Sequence, residues 1–522
     1  MFLVTIPVWV RAATVRGSTF FPWGRRMLRR VGGWVFKGAS ALGIALFALA
    51  AAISGFAALA EEVGVASRIV IGPGLGAGTL EGSLVLAYQN NPQLNSQRAA
   101  TRAADENVGT ALSGYRPRMT GTSSLTEQYL DTVAKTTSAT GAPIYIQGKG
   151  AAAVSNFGVT ATQTLYNGLQ TGNRTRQAEQ QVYAAREVLR STEQTVLLNG
   201  ATAYMNLLRD AAILELQRSN VNVLEVTLRQ TRDRFSAGEV TRTDVAQAES
   251  SLAAGRSQLA AAESNYLTSR ANYRQVIGVE PPARLAPGAP VDRLSPRTLD
   301  ASIGRSRTEH PTITTAMYNV DVALLQVKIA EGALYPTVQA VGNVQKNFGA
   351  SPNSLAVIES LSATVAAQLT VPLYQGGAEY STIRQAKETL GQRRLDLDTG
   401  RDQVQAAVVQ AWGLLESAKA QIIATQAQVT SAEVALNGVR EEARVGQRTT
   451  LDVLNAQQTL VNARVALVTA QRDRVVASYT LLAAVGSLSP QVLGLGTEVY
   501  DSMVHYQQVR DVWGGVRIPD GR

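Results

Sequence analysis

The chain has 522 residues, no cysteine, two histidines and a formal net charge of +9 at pH 7. Seven of the basic residues lie within positions 1–60, which hold no acidic residue, so the remainder is nearly neutral. Since neither a clustered basic surface nor a recognisable set of catalytic or metal-binding residues is apparent, we expect no enzymatic activity, no metal or other cofactor, and no nucleic-acid partner.

Residues 1–60 have the order of a secretory signal peptide. A basic stretch precedes an apolar run at 38–60, which ends in Ala58-Leu59-Ala60. The alternative is a membrane-anchoring helix, because the run approaches the ~20 residues that span a bilayer. Met27 is an alternative start. Residues 61–78 end in a glycine-rich stretch without the Lys-Ser/Thr of a phosphate loop, and we interpret them as a flexible lead.

Motifs recur 208 positions apart and predict two repeats of one architecture, at 79–286 and 287–490, followed by a tail at 491–522. The matched pairs are Leu165-Tyr166-Asn167-Gly168 with Leu373-Tyr374-Gln375-Gly376, Gly238 with Gly446, and Asp244 with Asp452. An earlier pair, Tyr115-Arg116-Pro117 and Leu334-Tyr335-Pro336, stands 219 apart. The first repeat therefore holds extra residues, which we assign to a loop insertion within Asp131–Gly150.

Each repeat is predicted to run helix, strand, loop, strand and then two helices. The second helix of each trio has about 69 residues and a length of ~100 Å. Apolar residues recur every seven positions along it, which predicts that it winds around its neighbours in a tunnel or coiled coil. A soluble coiled-coil protein is the alternative. The predicted helices are 79–114, 168–236, 241–278, 297–334, 377–445 and 449–486, and the periodic residues are Leu207, Leu214, Val221, Leu228 and Phe235 with Leu415, Ile422, Val429, Leu436 and Ala443.

Four segments alternate apolar and polar residues with the period of a β-strand. In the fourth segment, one face carries Leu361, Val365 and Leu369, and the other carries Thr364 and Gln368. Uncharged polar residues opposite an apolar face are typical of an outer-membrane β-barrel. Because four strands cannot enclose a channel, several chains must contribute; the alternative is a small soluble sandwich. The strands are expected near 118–130, 151–166, 337–349 and 361–374.

Together these features resemble the TolC family of outer-membrane efflux proteins. The resemblance covers residues 79–490 and rests on the duplicated unit, the Leu-Tyr-x-Gly junctions, the run 443–457, and the motifs Asn90-Asn91-Pro92 and Glu309-His310-Pro311. It implies a mainly α-helical homotrimer in the cell outer membrane, in contact with outer-membrane lipid. Three chains would form a twelve-stranded outer-membrane β-barrel, continued by a long α-helical barrel in the periplasm.

The resemblance also implies the function. The trimer would export substrates received from an inner-membrane ABC or RND transporter through a periplasmic adaptor protein. We expect type I protein secretion, with the outer-membrane component of an RND-type multidrug efflux pump as the alternative. A soluble periplasmic coiled-coil adaptor is a more distant alternative, because it would need an inner-membrane anchor and soluble β domains.

Two turns between long helices are the predicted docking sites for the adaptor. The resemblance places them at the periplasmic tip of the tunnel, where glycine permits the left-handed conformation that reverses the chain. Both segments are expected to be turns whether or not an adaptor docks there. The residues are Ala237, Gly238 and Glu239 in the first turn and Val445, Gly446 and Gln447 in the second.

Residues that follow these turns match gating positions of the family. Asp244 matches an aspartate that holds the inner and outer helix pairs together, and Arg448 matches the arginine that reaches towards it and Thr243. Asp452 matches one acidic position of the constriction, whereas Asn455 replaces the second, so a trimer would present three carboxylates instead of six. The alternative is that Arg448 and Asp244 are solvated surface charges.

Overall fold

The computed structural model describes residues 78–351 and 354–519. The predicted signal peptide, and the predicted lead up to residue 77, lie outside the described residues. The elements in chain order are α1 (Leu80–Asn90), α2 (Pro92–Leu112), β1 (Arg118–Thr137), β2 (Pro143–Asn167), α3 (Gln170–Ser236), α4 (Arg242–Ile277), α5 (Leu299–Glu309), α6 (Pro311–Gly332), β3 (Thr337–Ser351), β4 (Ser354–Thr370), α7 (Ala378–Arg444), α8 (Thr450–Ala484) and α9 (Ser502–Val509).

The two longest helices, α3 and α7, have 67 residues each and lie within two residues of the predicted ranges. At 1.5 Å per residue each is ~100 Å long. Four of the five periodic residues of α3 are buried, as the seven-residue period predicts: Leu207, Leu214, Val221 and Leu228. The fifth, Phe235, is exposed because it lies beside the turn at which α3 ends.

The predicted helices 79–114 and 297–334 are each broken into two, and a single helix was the wrong interpretation. A residue before proline is disfavoured in the α-helical region, and both Asn91 and His310 are extended. The Asn91 side chain accepts hydrogen bonds from two backbone N–H groups of α2 at 2.9 and 3.2 Å. His310 Nδ1 accepts from the backbone N–H of Thr312 at 3.2 Å. Each residue therefore ends one helix and caps the next.

The strands form one antiparallel sheet in the order β1-β2-β3-β4. The predicted loop insertion at Asp131–Gly150 is wrong, because β1 and β2 stay paired as far as Thr137 and Pro143. Only residues 138–142 form the turn, which is closed by a 2.8 Å hydrogen bond from the backbone N–H of Ser138 to the carbonyl of Ala142. The extra residues of the first repeat thus lengthen a hairpin, since Thr, Val and Ile suit extended backbone.

The largest core lies where α1, α3, α4 and the end of α8 meet. Its fully buried side chains include Leu84, Leu197, Tyr204, Tyr273 and Leu482. Smaller apolar clusters follow the helical hairpins α3–α4 and α7–α8 towards their turns. Within residues 78–351 and 354–519, no helix has the length and apolarity to cross a membrane.

Candidate functional site at the helical turns

The two predicted docking turns have the same backbone geometry. α3 ends at a Schellman motif in which Gly238 has φ +76°, and α7 ends at one in which Gly446 has φ +81°. The backbone N–H of Glu239 donates to the carbonyl of Arg234 at 2.9 Å, and that of Gln447 donates to Glu442 at 2.9 Å. The six predicted docking residues are exposed around these motifs: Ala237, Gly238, Glu239, Val445, Gly446 and Gln447.

Asp244 and Asp452 have a local role that the sequence analysis missed. Each is the third helical residue of a capping box. The Asp244 carboxylate accepts from the backbone N–H and the hydroxyl of Thr241 at 2.9 and 2.7 Å. The Asp452 carboxylate accepts from the same groups of Thr449 at 3.0 and 2.9 Å. The two Thr-x-x-Asp motifs are the signal that could have identified these caps.

The capping hydrogen bonds keep both carboxylates ionised. Hydrogen bonds from Thr241, first from its hydroxyl and then from its backbone N–H, lower the pKa of Asp244. The backbone N–H of Thr449, followed by its hydroxyl, lowers the pKa of Asp452. Both donors stabilise the charged form, so each aspartate is a fixed negative charge at neutral pH.

Arg448 is paired within its own hairpin. Its Nε lies 2.8 Å from Glu442 Oε2, and this hydrogen bond is the largest cause of the raised pKa of Arg448. Across the chain segments that the structure describes, the ion pair of Arg448 is made to Glu442 and not to Asp244. Glu442 was not predicted as the partner, because a six-residue spacing across a turn indicates a contact only once the turn geometry is known.

The first turn carries an ion pair of opposite polarity. Arg234 Nε lies 3.0 Å from Glu239 Oε2. Arg234 and Glu442 occupy the same position of their Schellman motifs, the residue whose carbonyl accepts the closing hydrogen bond. The two turns therefore present one backbone shape with a cation at this position in the first and an anion in the second.

A groove of about 900 Å³ separates the two hairpins at the level of the turns. Both hairpins contribute to its wall, which brings the predicted residues Glu239, Asp244, Gly446 and Arg448 together. Its lining carries more basic than acidic side chains, namely Arg234, Arg440, Arg444 and Arg448 against Glu239 and Asp244.

The remaining predicted gate residues do not line this groove. Thr243 is exposed in the first turn of α4. Asn455 is exposed on α8, three positions after Asp452, so the two lie on the same side of that helix. Their gating roles, like those of Asp244, Arg448 and Asp452, stay predictions.

Comparison with known proteins identifies the family. Residues 84–279 and 303–487 match the family described as outer membrane efflux protein. The outer membrane efflux protein BepC of Brucella suis is 38% identical over 464 residues, which cover 89% of this chain and 97% of BepC. The alkaline protease secretion protein AprF of Pseudomonas aeruginosa is 25% identical over 307 residues, or 58% of this chain and 63% of AprF.

A solved structure agrees with these sequence matches. The Campylobacter jejuni CmeC outer membrane channel superimposes with a TM-score of 0.66 at 17% identity, over 83% of this chain and 89% of that protein. The likeness shows the fold. With the family match over most of its length, the chain belongs to the outer membrane efflux protein family, and it is an outer-membrane channel protein and not an enzyme.

Proposed function

We propose that three copies of this chain form one export duct through the outer membrane. Each copy contributes its four strands to a twelve-stranded barrel and its long helices to a periplasmic tunnel. The observation that carries the proposal is a four-stranded sheet joined directly to helices of ~100 Å. A sheet of this size cannot enclose a lumen alone, so its free edges on β1 and β4 need other copies.

The side-chain pattern of the sheet supports insertion in lipid. On one face of β4, Leu361, Val365 and Leu369 are exposed, and Val365 reaches 91%. Along the partner strand β3, Lys346 is the first charged residue on that face, nine positions after Thr337, where β3 begins. At ~3.3 Å per residue and a tilt of ~40° this corresponds to about 23 Å, close to the ~25 Å apolar band of outer-membrane barrels.

The helical turns are the proposed periplasmic aperture. Around a threefold axis, Asp452 would present three ionised carboxylates, and Asn455 would add polarity without charge. The ion pair between Arg448 and Glu442 is too exposed to water to hold the aperture shut alone. Several such links repeated by symmetry can hold a closed state that an adaptor with a preference of a few kcal/mol would open.

We propose that the adaptor docks at the turns and in the adjoining groove, and that an inner-membrane ABC transporter supplies the cargo. The relative AprF, named as a protein for alkaline protease secretion, supports type I protein secretion as the route. The relative BepC, named as an efflux protein, favours a second candidate, the outer-membrane part of an RND-type drug efflux pump.

Single-channel conductance in planar bilayers tests the gate. Arg448→Ala and Asp244→Ala should each raise the resting conductance, since each removes a charge from the aperture. Asp244→Ala also removes a helix cap, so Thr241→Ala is the matched control that loses the cap and keeps the charge. Unchanged conductance in both charge variants would remove Arg448 and Asp244 from the gate. A rise in Thr241→Ala equal to that in Asp244→Ala would remove Asp244 alone.

Deletion of the gene separates the two routes. Under the type I route, a secreted protein should disappear from the medium while drug susceptibility stays near that of the parent strain. Under the efflux route, susceptibility should rise and the secreted proteins should be unchanged. A deletion strain that matches its parent in both assays would contradict both routes.

A further inference from the structure

The C-terminal tail, residues 491–519 of the described chain, is fastened to the helical body along its length. Its first part packs Leu495 into the largest core. Further on, the backbone N–H of Tyr500 donates to the hydroxyl of Tyr88 at 3.2 Å. In α9, His505 Nδ1 lies 3.0 Å from the buried Asp105 Oδ2 on α2. The tail therefore follows α1 and α2 in the direction of the sheet.

The end of the tail is held where helix gives way to strand. Arg116, two residues before β1, donates from Nη1 to the carbonyl of Val512 at 2.7 Å. Its guanidinium also stacks on the ring of Trp513, 4.8 Å from the centroid. Trp513 is thus fixed beside the first residues of the sheet.

Apolar side chains are exposed at this place. Trp513 is 75% exposed and Val516 is 91% exposed, and Ile518 follows two residues later. Tyr115, three residues before β1, and Met119, the second residue of β1, are also exposed. Large apolar side chains this accessible to water indicate a surface that is covered in the native environment.

The composition of residues 512–518 indicates that the interface of a phospholipid membrane covers them. Tryptophan and tyrosine are enriched where the bilayer meets water. Arg517 stands between Val516 and Ile518, and basic side chains near a membrane surface are attracted to anionic headgroups. Arg510, before the apolar residues, is paired with Glu179 at 3.7 Å. Val512 and Trp513 are also held by Arg116, two residues before β1, where the sheet of the proposed barrel begins. The alternative is that a second copy of the chain buries these side chains.

We propose that residues 512–518 form a membrane-interface anchor in the periplasmic leaflet of the outer membrane. Trp513, Val516 and Ile518 enter the boundary between headgroups and acyl chains, and Arg517 binds a lipid phosphate. The anchor rests on the proposed function, because it needs the barrel in lipid with its helices in the periplasm. It gives the tail a role in setting the depth of the barrel.

Tryptophan fluorescence tests the anchor in the whole protein. After removal of the predicted signal peptide, Trp412 and Trp513 are the only tryptophans in the sequence. The Trp412→Phe variant isolates Trp513. The Trp513→Phe variant isolates Trp412, which lies about 50 Å along α7 from the sheet. Each is reconstituted in phosphatidylethanolamine–phosphatidylglycerol vesicles, with or without bromine near the headgroup end of the acyl chains.

The anchor predicts that brominated lipid removes most of the emission of Trp513 and leaves that of Trp412 unchanged. A third protein carries Trp412→Phe, Trp513→Phe and Val365→Trp, and reports insertion of the sheet. Quenching there without quenching of Trp513 would overturn the anchor and leave the barrel in place. If Trp513 is instead shielded from both acrylamide and brominated lipid, another protein surface covers it, which also refutes the anchor. Loss of quenching in the Val365→Trp protein would refute the barrel and the anchor together.

Discussion

Three glycines at helix ends should respond differently to the same added methyl group. Gly486 follows α8 with φ +85°, and a Cβ there would lie 2.7 Å from the Cα of His310. Gly278 follows α4 with φ +86°, and its Cβ would lie 3.1 Å from the Cβ of Asn90. Gly446 has φ +81° with open space around it. The three positions therefore share one backbone conformation and differ in what a side chain would meet.

The expected costs follow from these distances. A left-handed conformation costs a non-glycine residue about 1–2 kcal/mol, so Gly446→Ala should lose about 1 kcal/mol of stability. Gly278→Ala adds a tight contact with a side chain that can yield, for a total of about 2 kcal/mol. Gly486→Ala places a methyl group against the backbone of His310, which is held by its hydrogen bonds to Ser306 and Thr312. Its loss should reach about 3 kcal/mol or more.

Thermal unfolding of the detergent-purified proteins, followed by far-UV circular dichroism at one scan rate, measures the series. The midpoint should fall in the order Gly446→Ala, Gly278→Ala, Gly486→Ala, with the last lowest. A loss at Gly446 as large as that at Gly486 would show that the backbone of His310 yields freely, and it would refute the predicted steric cost at Gly486.

Three further changes affect buried or half-buried side chains. Leu207→Ala should lower the unfolding free energy by about 2–5 kcal/mol, because it leaves a cavity in the largest core; a loss under 1 kcal/mol in the same melts would contradict this. Tyr204→Phe removes a hydroxyl that lies 2.9 and 2.6 Å from two backbone carbonyl oxygens, so melting should show a loss of about 1–3 kcal/mol. Burial raises the pKa of Glu193 above its ordinary 4.5. The protonated carboxyl therefore contributes to stability in full below pH 4.5, and this contribution is lost as the pH rises through the pKa of the folded state. Glu193→Gln keeps an acceptor for the Tyr88 hydroxyl and should be the more stable protein at neutral pH, with the difference vanishing below pH 4.5 in melts recorded across pH.

The helices α3 and α7 could be predicted closely because apolar residues recur every seven positions along them. Burying one residue in every seven fixes which face of α3 and α7 packs, and Leu207 to Leu228 are buried accordingly. The breaks at Asn91 and His310 were not predicted, although each of these residues stands directly before a proline. Proline chemistry, not periodicity, decides where those helices end.

Contacts between segments distant in sequence could not be predicted in the same way. The C-terminal tail shows no strong periodicity, and its partners Tyr88, Asp105 and Arg116 lie about 400 positions away. The contact between Arg448 and Glu442 depends on how a turn orients two side chains. The hairpin β1–β2 was misassigned for a simpler reason: threonine, serine and alanine are compatible with both loop and strand, and only pairing decides between them.

The capping boxes change how the gate aspartates are to be tested. Asp244 and Asp452 stabilise the first turns of α4 and α8, so their presence in the sequence is accounted for without a gate. The same hydrogen bonds lower the pKa values of both carboxylates and fix their charge at the tip of each hairpin. Structure and electrostatics therefore depend on one side chain at each turn. A substitution at either aspartate is informative only beside its threonine, because Thr241→Ala and Thr449→Ala disturb the cap while leaving the charge where it is.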